Sequence, residues 1–513
     1  MSEPTPISSP ELDEHLGVDG VNRELKHRSA RGGLLMVASY AVQLLIGIGT
    51  FYILARVLTP SDFGYLAMVA TVANLVVSFR EFLIAPTVQM KDLSHEQASS
   101  LFWVNCVVSV ALAILIAAIA PFLVWLFKEP RLLNIGLVLA LGVLLHMLGM
   151  MHMGVLRRQM QFGVITFIEV GAMIAGSITG IGMALRGAGY WALVMQQVVV
   201  WTWQSAASWW LCAWRPSRAS VSAIRDPAVR SMLRYGQDST TSRIIIYISR
   251  NTDNMFVGYF LGASVLGLYQ KAYQWAMMPF WQIFLPMTPV AVSSFSRIQD
   301  DPARYRQYAH ITLLGMFSLA LPAIALLMVE SDNTILFLMG KQWIDAIPML
   351  RMQSIGAYFS SFTLVTMWLY LPEGRTWQQL KWSIFSAPVT MIAVGIGVKW
   401  GAVGVSTGFA IASFLLVPIG VWYCLKGSPL TERNFWGAIW RAAAGSILAA
   451  IALWALRPVL PILPTPFWRL VFHSGIYGAI YLTLWLLLPG GRKDFGLFWR
   501  QTRQLRASAD PRP

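Results

Sequence analysis

Several charged residues of this sequence fall inside long apolar stretches, where a charge has to contact protein or water. The clearest group lies in residues 236–258, in which polar residues recur at helical spacing. At 100° per residue, Arg243, Tyr247, Arg250 and Asn254 share one helix face. Arg243 and Arg250 would lie about 10 Å apart along the axis. Two guanidinium groups at this spacing suit an anionic group, such as a phosphate, that moves along the face.

Other basic residues extend this set of candidate cavity residues. Lys271 and Tyr273 lie in the next apolar stretch, within "GLYQKAYQWAMM", where they either bind a sugar or form part of an interfacial belt. Arg351 lies about a turn inside a later stretch, where it either lines a cavity or snorkels to the interface. Arg80 and Glu81 are adjacent, so they cannot share a helix face, and a local structural ion pair is the favoured interpretation.

Acidic residues inside the apolar stretches are candidates for coupling transport to H⁺ or Na⁺. Glu169 and Asp253 are the best of them, because burial raises the pKa of a carboxyl group and allows it to exchange a proton. Asp238 and Glu81 complete the set. Each carboxylate is equally suited to neutralising a nearby arginine, and both interpretations stay open.

The sequence predicts neither a metal nor a cofactor. Its three cysteines have no CxxC or Cys/His spacing, which argues against a disulfide framework or a metal site. His146 and His152 are six residues apart and would lie on opposite faces of one helix. No GxxxxGK[ST] motif is present, so we do not expect the chain to hydrolyse ATP.

The elements that carry these residues are predicted to be membrane-spanning helices. Of 513 residues, 56% are hydrophobic and 12% are charged, whereas a soluble domain has roughly 25% charged residues. Apolar runs near 20 residues match the roughly 30 Å hydrocarbon core of a bilayer, and about fourteen such spans can be recognised. Their continuous apolar character argues against a β-barrel. The expected fold is an all-α polytopic membrane protein.

The net charge of +15 reflects membrane topology. On the order of two thirds of the Lys and Arg residues fall in the two termini and in every second connection, as the positive-inside rule predicts. Both termini are therefore expected to be cytoplasmic. The basic residues would contact anionic membrane lipids, and we expect no nucleic-acid partner.

A short turn occurs twice in the chain. In "RVLTPSDFG" and "YFLGASVLG", Leu58, Ser61 and Gly64 align with Leu261, Ser264 and Gly267 at one constant offset. A second echo pairs "RGAGYWAL", which begins at residue 186, with "WGAVGVST", which begins at residue 400. Both repeats fall at equivalent places in the hydropathy pattern, which indicates two parallel six-helix halves. In transporters built this way, the substrate site lies between the halves near mid-membrane.

The domain prediction follows from this duplication. We expect pseudo-symmetric six-helix bundles and an extra pair of helices that follows them. The predicted segments are a flexible cytoplasmic arm (1–30), the first bundle (31–214), a basic linker (215–235), the second bundle (236–425), the extra helix pair (437–488) and a basic cytoplasmic tail (489–513).

Three stretches resemble the Wzx-type oligosaccharide flippases of the multidrug/oligosaccharidyl-lipid/polysaccharide exporter superfamily. They are "ILARVLTPSDFGYLAMVATV", "NTDNMFVGYFLGASVLGLYQKAY" and "LMGKQWIDAIPMLRMQSIG". The middle stretch is the most specific, with Asp253, Gly262, Gly267 and Tyr269 at the positions of the family pattern. The resemblance implies a flippase that moves an undecaprenyl-pyrophosphate-linked sugar unit across the bacterial inner membrane. It also implies a possible partnership with a polysaccharide polymerase or export machinery.

Three alternatives remain open. A lipid II flippase would share the number of spans. A drug or cation antiporter of the same superfamily would favour acidic residues in its cavity, whereas this chain places mainly Arg and Lys there. A polytopic polymerase or glycosyltransferase would be expected to carry a large extramembrane loop, and no predicted outer loop exceeds roughly 20 residues, well short of a domain. We therefore expect a transporter and not an enzyme.

Overall fold

The computed structural model describes residues 25–77, 94–218 and 227–492, and within these ranges every regular element is a helix. This confirms the predicted all-α class. The α-helices are α1 (Leu25–Val57), α2 (Pro60–Val77), α3 (His95–Phe127), α4 (Arg131–Leu148), α5 (Met150–Arg158), α6 (Phe162–Leu185), α7 (Tyr190–Leu211), α8 (Pro227–Arg297), α9 (Pro302–Val329), α10 (Ser331–Leu338), α11 (Ala346–Leu364), α12 (Met367–Tyr370), α13 (Thr376–Gly397), α14 (Gly401–Leu425), α15 (Glu432–Leu456) and α16 (Pro466–Leu487). Short 3₁₀ turns at Lys341–Trp343 and Val398–Trp400 precede α11 and α14.

Eight stretches of the described chain are long and apolar enough to cross a membrane. One of them, Thr376–Leu425, is 50 residues long and contains both α13 and α14. A helix satisfies its own backbone hydrogen bonds, which is the condition for crossing hydrocarbon. The chain is therefore a multi-pass membrane protein, and the total of about fourteen spans stays a prediction.

Local sequence fixes several helix starts. Ser94 caps α3 in a capping box, because its hydroxyl accepts from the Gln97 amide and the Gln97 side chain accepts from the Ser94 amide, both at 3.2 Å. Asp301 caps α9 by accepting from the amides of Ala303 and Arg304 at 3.1 Å. These caps satisfy amide groups that the first helical turn leaves without an intrahelical partner.

The chain divides into two compact units, Met1–Ser264 and Val265–Pro513. The division falls within α8, just after Gly262, where the backbone leaves helical geometry at φ 82° and ψ 177°. The first part of α8 therefore belongs to the first unit, and the domain limits given above stay a prediction. Because α8 is helical on both sides of Gly262, that residue provides the break between the units.

In the first unit, α1 packs against α6, and α6 packs against α7. Two side-chain hydrogen bonds join α1 to α6: Gln43 donates to Glu169 at 3.3 Å, and Thr50 donates to Ser177 at 2.7 Å. The residue numbers rise together along both helices, so α1 and α6 run parallel.

In the second unit, α11 and α12 run parallel to the part of α8 after Gly262. Gln353 donates to the Tyr269 carbonyl at 3.3 Å, and Trp368 Nε1 donates to Thr288 Oγ1 at 2.9 Å. The predicted extra pair, α15 and α16, packs on this unit through α9. Tyr481 on α16 donates to the Ser318 carbonyl of α9 at 3.1 Å.

Equivalent positions interrupt the helices in both copies of the repeat. The chain leaves the helix at Leu58 and Thr59 between α1 and α2, and again at Gly262. In the second echo, Gly187 and Gly401 are aligned, and both adopt positive φ, at 78° and 68°. Glycine occupies this region without the steric penalty that a Cβ imposes. The second echo therefore marks turns of matching backbone conformation, and the first echo marks a helix interruption in each copy.

Candidate functional site

The predicted basic face lies on one uninterrupted helical segment. Arg243, Tyr247 and Arg250 are all in the part of α8 that precedes Gly262, as is Asp238. For residues 227–250 the structure describes the backbone alone, so the face is defined by helical register. That register places Arg243 and Arg250 on the same side, about 10 Å apart along the axis.

Asp253 and Asn254 lie one turn further along the same helix and are half-buried. The Asp253 carboxylate accepts from the Asn254 amide at 2.9 Å, and the Asn254 side chain donates to Asn251 Oδ1 at 3.4 Å. These three residues form a local polar cluster at the end of the predicted basic face. Placing such a polar cluster in hydrocarbon is energetically unfavourable, so we expect it to contact protein or water.

Lys271 is half-buried in the second unit, and its ammonium group donates to Gln274 Oε1 at 3.0 Å. Tyr273 packs edge-on against Phe409, with ring centroids 5.6 Å apart. Tyr269 has no exposed surface, so it belongs to the core and not to a surface that binds sugar. Arg351 on α11 is exposed. Arg80 and Glu81 lie outside the described residues.

An interruption between α4 and α5 forms a polar site that includes Glu169. The apolar stretch Arg131–Arg158 is not one continuous helix: α4 ends at Leu148, and α5 begins after Gly149. The carbonyls of residues 147–149 accept hydrogen bonds from neighbouring helices at 2.6, 3.0 and 3.2 Å, from Asn105, Trp209 and Ser208 respectively. Side chains thus satisfy the backbone groups that the kink releases, as a membrane-embedded break requires.

A pocket of about 100 Å³ lies at this kink. Its lining comes from α4 and α5 and from the two helices packed beside them: His146, Gly149, Met150, Met153, Arg157, Glu169, Gln204 and Ser205. A kinked span beside a polar pocket is a common construction for binding sites in transporters.

Glu169 is the acidic residue of this pocket. It is half-buried and accepts a hydrogen bond from Gln43, which also donates to Ser39 at 2.9 Å. Within the described part of the chain, no ion pair involves Glu169. The carboxylate is therefore held by an amide donor, which leaves its charge available to a proton or a ligand.

The two histidines of this region have different environments. His146 lies on the pocket wall. His152 is fully buried, with its ring 4.1 Å from the Trp209 ring between centroids. Among the described residues no group of three or more His, Cys, Asp or Glu side chains is placed to hold a metal ion. The arrangement offers hydrogen bonding and charge.

Sequence reasoning selected Glu169 but missed the pocket around it. Arg157 and Gln204 approach Glu169 only because α5 and α7 pack beside α6. The available signal was Gly149 within "HMLGMMHM" in an otherwise apolar span, because a glycine in such a position often marks a kink.

Comparisons with known proteins agree with this architecture. Residues 53–348 match a family described as "Polysaccharide biosynthesis protein". The chain is similar to the lipopolysaccharide biosynthesis protein WzxC of Escherichia coli (strain K12), with 25% identity over 82% of this chain and 87% of that protein. It is also similar to the succinoglycan biosynthesis transport protein ExoT of Rhizobium meliloti (strain 1021), with 23% identity over 80% of each.

Among solved structures, the lipid II flippase MurJ in an inward closed conformation superposes with a TM-score of 0.70. The match covers 91% of this chain and 99% of that one at 14% identity. At this identity the likeness establishes a shared fold, with nearly all of both chains included.

Proposed function

We propose a function on the premise that this chain belongs to the polysaccharide biosynthesis protein family, whose profile it matches over more than half of its length. The proposed activity is the flipping of a polyprenyl-pyrophosphate-linked oligosaccharide from the cytoplasmic to the outer leaflet of a membrane. The observation that carries it is the extended similarity to polysaccharide biosynthesis and transport proteins in a polytopic, all-helical chain.

We infer that the membrane is the bacterial inner membrane and that both termini are cytoplasmic. The support is the concentration of basic residues in the termini and in alternate connections. The parallel pairing of α1 with α6 agrees with this crossing order. The cargo would then start on the side where sugars are attached to the carrier lipid.

The cargo chemistry explains the basic residues inside the spans. A pyrophosphate is strongly anionic, and moving it through hydrocarbon requires cationic donors that replace its lost water. We propose Arg243 and Arg250 as the main groups on this path, with Lys271, Arg351 and Arg80 as further cations. Tyr247, Asn254 and Tyr273 would supply uncharged hydrogen bonds and ring surfaces.

The energy for transport would come from an ion gradient. Glu169 and Asp253 are the proposed H⁺ or Na⁺ groups, with Asp238 and Glu81 as secondary candidates. In this scheme the protein exposes its substrate site alternately to each side and performs no bond chemistry. The membrane lipids and the lipid-linked glycan are its immediate partners, and a polysaccharide polymerase would act on the product.

Lipid II flipping is the second candidate, and the nearly complete superposition on a lipid II flippase favours keeping it. Both cargoes combine a polyprenyl tail, a pyrophosphate and a sugar head, so the same basic residues would serve either. A drug or cation antiporter is less suited to a basic path, because cationic cargo and arginine repel each other.

The decisive experiment removes the protein from its host and follows the lipid-linked sugars. The proposal expects the polymer's repeat unit to accumulate on its carrier lipid, protected from a membrane-impermeant periodate treatment of intact spheroplasts. Accumulation of lipid II instead would assign the alternative cargo. If removing the protein changes neither the amount nor the sidedness of the lipid-linked repeat unit and of lipid II, the proposal that it transports either lipid is overturned. Sugar transfer by the purified protein would instead favour an enzyme.

A further inference from the structure

The kink pocket, defined by the eight lining residues given above, has a chemistry that the proposed pyrophosphate path does not use. Glu169 lies seven residues into α6, and Gln204 lies seven residues before the end of α7. Both are therefore about 10 Å from the same end of the antiparallel pair α6 and α7. The two residues therefore lie at a similar depth, and the pocket that they line is within the first unit.

Three lining side chains are free to bind a ligand. In the described part of the chain, Arg157, Gln204 and Ser205 make no side-chain hydrogen bond, although each lines the pocket. Together with the Glu169 carboxylate, they present donors and acceptors at one surface. Polar groups placed in a pocket without protein partners are those that a ligand or water has to satisfy.

The charge of the lining argues against an anionic occupant. Arg157 and Glu169 carry opposite formal charges in the same pocket, so the site has no net attraction for a pyrophosphate. The amide of Gln204 and the hydroxyl of Ser205 add uncharged donors and acceptors. This combination suits a neutral group that is rich in hydroxyls.

The backbone at the kink argues against a bound inorganic cation. Cation sites at broken membrane helices use freed carbonyl oxygens as ligands. Here the carbonyls of residues 147–149 already accept hydrogen bonds from Asn105, Trp209 and Ser208. The guanidinium of Arg157, in the same lining, would also repel a cation.

The pocket also has an apolar side. Met150 and Met153 are buried and form part of the wall. Gly149 lies beside them, and its lack of a side chain lets α7 pack closely, because a Cβ there would lie 2.5 Å from the Ser205 Cα. A pyranose ring has hydroxyls at its edge and C–H groups on its faces, so a wall that is polar on one side and apolar on the other complements it.

We propose that the kink pocket holds one sugar ring of the lipid-linked glycan, with Glu169, Gln204, Ser205 and Arg157 binding its hydroxyls. This inference rests on the proposed function and adds to it a second subsite. It assigns Glu169 to the sugar and leaves Asp253 as the proposed coupling group. The basic face of α8 would carry the pyrophosphate, while the kink pocket would bind part of the glycan and contribute to its selection.

Cysteine protection tests the site directly. In a Cys106→Ser background, Gln204→Cys is labelled with N-ethylmaleimide in inverted membrane vesicles. One host makes the lipid-linked glycan, and a matched host lacks the transferase that places the first sugar phosphate on the lipid. We expect several-fold slower labelling at Gln204→Cys in the host that makes the glycan. Thr202→Cys, two residues earlier on another face of α7, should be labelled equally in both hosts.

Export measurements separate the sugar subsite from proton coupling at Glu169. Ser205→Ala and Gln204→Ala should each lower polymer export about 2- to 10-fold, as expected for the loss of one hydrogen bond to a ligand. Glu169→Gln keeps a side chain that can hydrogen-bond to sugar hydroxyls, so its reduction in polymer export should lie in the same range. Loss of export in Glu169→Gln alone, with the other two variants unaffected, would overturn the sugar subsite in favour of coupling.

Failure of this inference can be distinguished from failure of the proposed function. Equal labelling of Gln204→Cys in the two hosts would reject the subsite, even where removing the whole protein still traps the lipid-linked glycan. If removing the protein leaves that glycan undisturbed, the proposed function itself is rejected. Slower labelling of Gln204→Cys in the host that makes the glycan, together with accumulation of the lipid-linked glycan when the protein is removed, supports both the subsite and the proposed function.

Discussion

Glu330 Oε1 lies 3.0 Å from His473 Nδ1, and the Glu330 side chain has no exposed surface. The contact joins the start of α10 to α16. Arg457, just beyond α15, lies 3.4 Å from the same carboxylate oxygen, and Asn333 donates to the other oxygen at 2.7 Å. One buried carboxylate therefore fastens the C-terminal helix pair to the rest of the second unit.

Replacing Glu330 with Ala should destabilise the second unit by about 3–5 kcal/mol, because His473 and Arg457 would lose the buried charge that pairs with them. The thermal midpoint of the detergent-purified protein measures this. Asp332→Asn is the matched control: the Asp332 side chain is 35% exposed and also pairs with Arg457, and an exposed pair contributes about 1 kcal/mol or less. Equal losses for the two variants would contradict the fastening role of Glu330.

Gly64→Ala should prevent correct folding of the first unit. A Cβ at position 64 would overlap the backbone carbonyl of Ala263, which cannot move aside as a flexible side chain can. Gly49→Ala is the control, since nothing lies within 4 Å of a Cβ there. Both glycines are helical, so each substitution gains the same propensity of about 1 kcal/mol. The yield of monodisperse protein should fall sharply for Gly64→Ala and should stay the same or increase for Gly49→Ala.

His152→Phe should leave the free energy of unfolding unchanged or raise it by about 1 kcal/mol. Both ring nitrogens of His152 are buried and have no hydrogen-bond partner among the described residues, and its ring contact with Trp209 is available to a phenyl ring. The same change at His473 should destabilise, because that imidazole pairs with Glu330. Comparison of the two melting midpoints is the measurement. A marked loss at position 152 would mean that its imidazole has an essential partner.

Asn105→Leu should lower the free energy of unfolding by about 1–3 kcal/mol. The reason is that the buried Met147 carbonyl, at the kink between α4 and α5, would lose its hydrogen-bond donor. Thr202→Val serves as the control, since the Thr202 hydroxyl bonds a carbonyl of its own helix, Val198, that is already part of the helical ladder. Hydrogen exchange of residues 147–153 should increase in the first variant and stay unchanged in the second. Identical exchange in both would show that Asn105 does not hold the kink.

Arg250→Ala should abolish polymer export while the protein remains folded, because the proposed path would lose a cation that binds the pyrophosphate. Arg250→Lys keeps the charge but not the two-pronged geometry, and should retain partial export. Export is measured as polymer released per cell at equal protein level. Normal export by the well-expressed Ala variant would remove Arg250 from the path.

Much of the fold was predictable from sequence for a local reason. A run of apolar residues long enough to cross a bilayer has few alternatives to a helix, because lipid offers no hydrogen bonds to an open backbone. The echoed turns were recognisable because Gly187 and Gly401 occupy a backbone region that other residues avoid. The interruption at Gly149 was not predicted, since its carbonyls are satisfied by residues distant in sequence.

The sequence by itself determined the helical membrane class, the duplicated turns and the alignment of Arg243 with Arg250 on one face, because each depends on residues within a few turns of one another. Only the tertiary structure decided that Gln43 reaches Glu169 and that Glu330 reaches His473, pairs separated by 126 and 143 residues. Such contacts depend on which helices pack together. Packing is set by shape and side-chain complementarity over the whole unit, which no local pattern records.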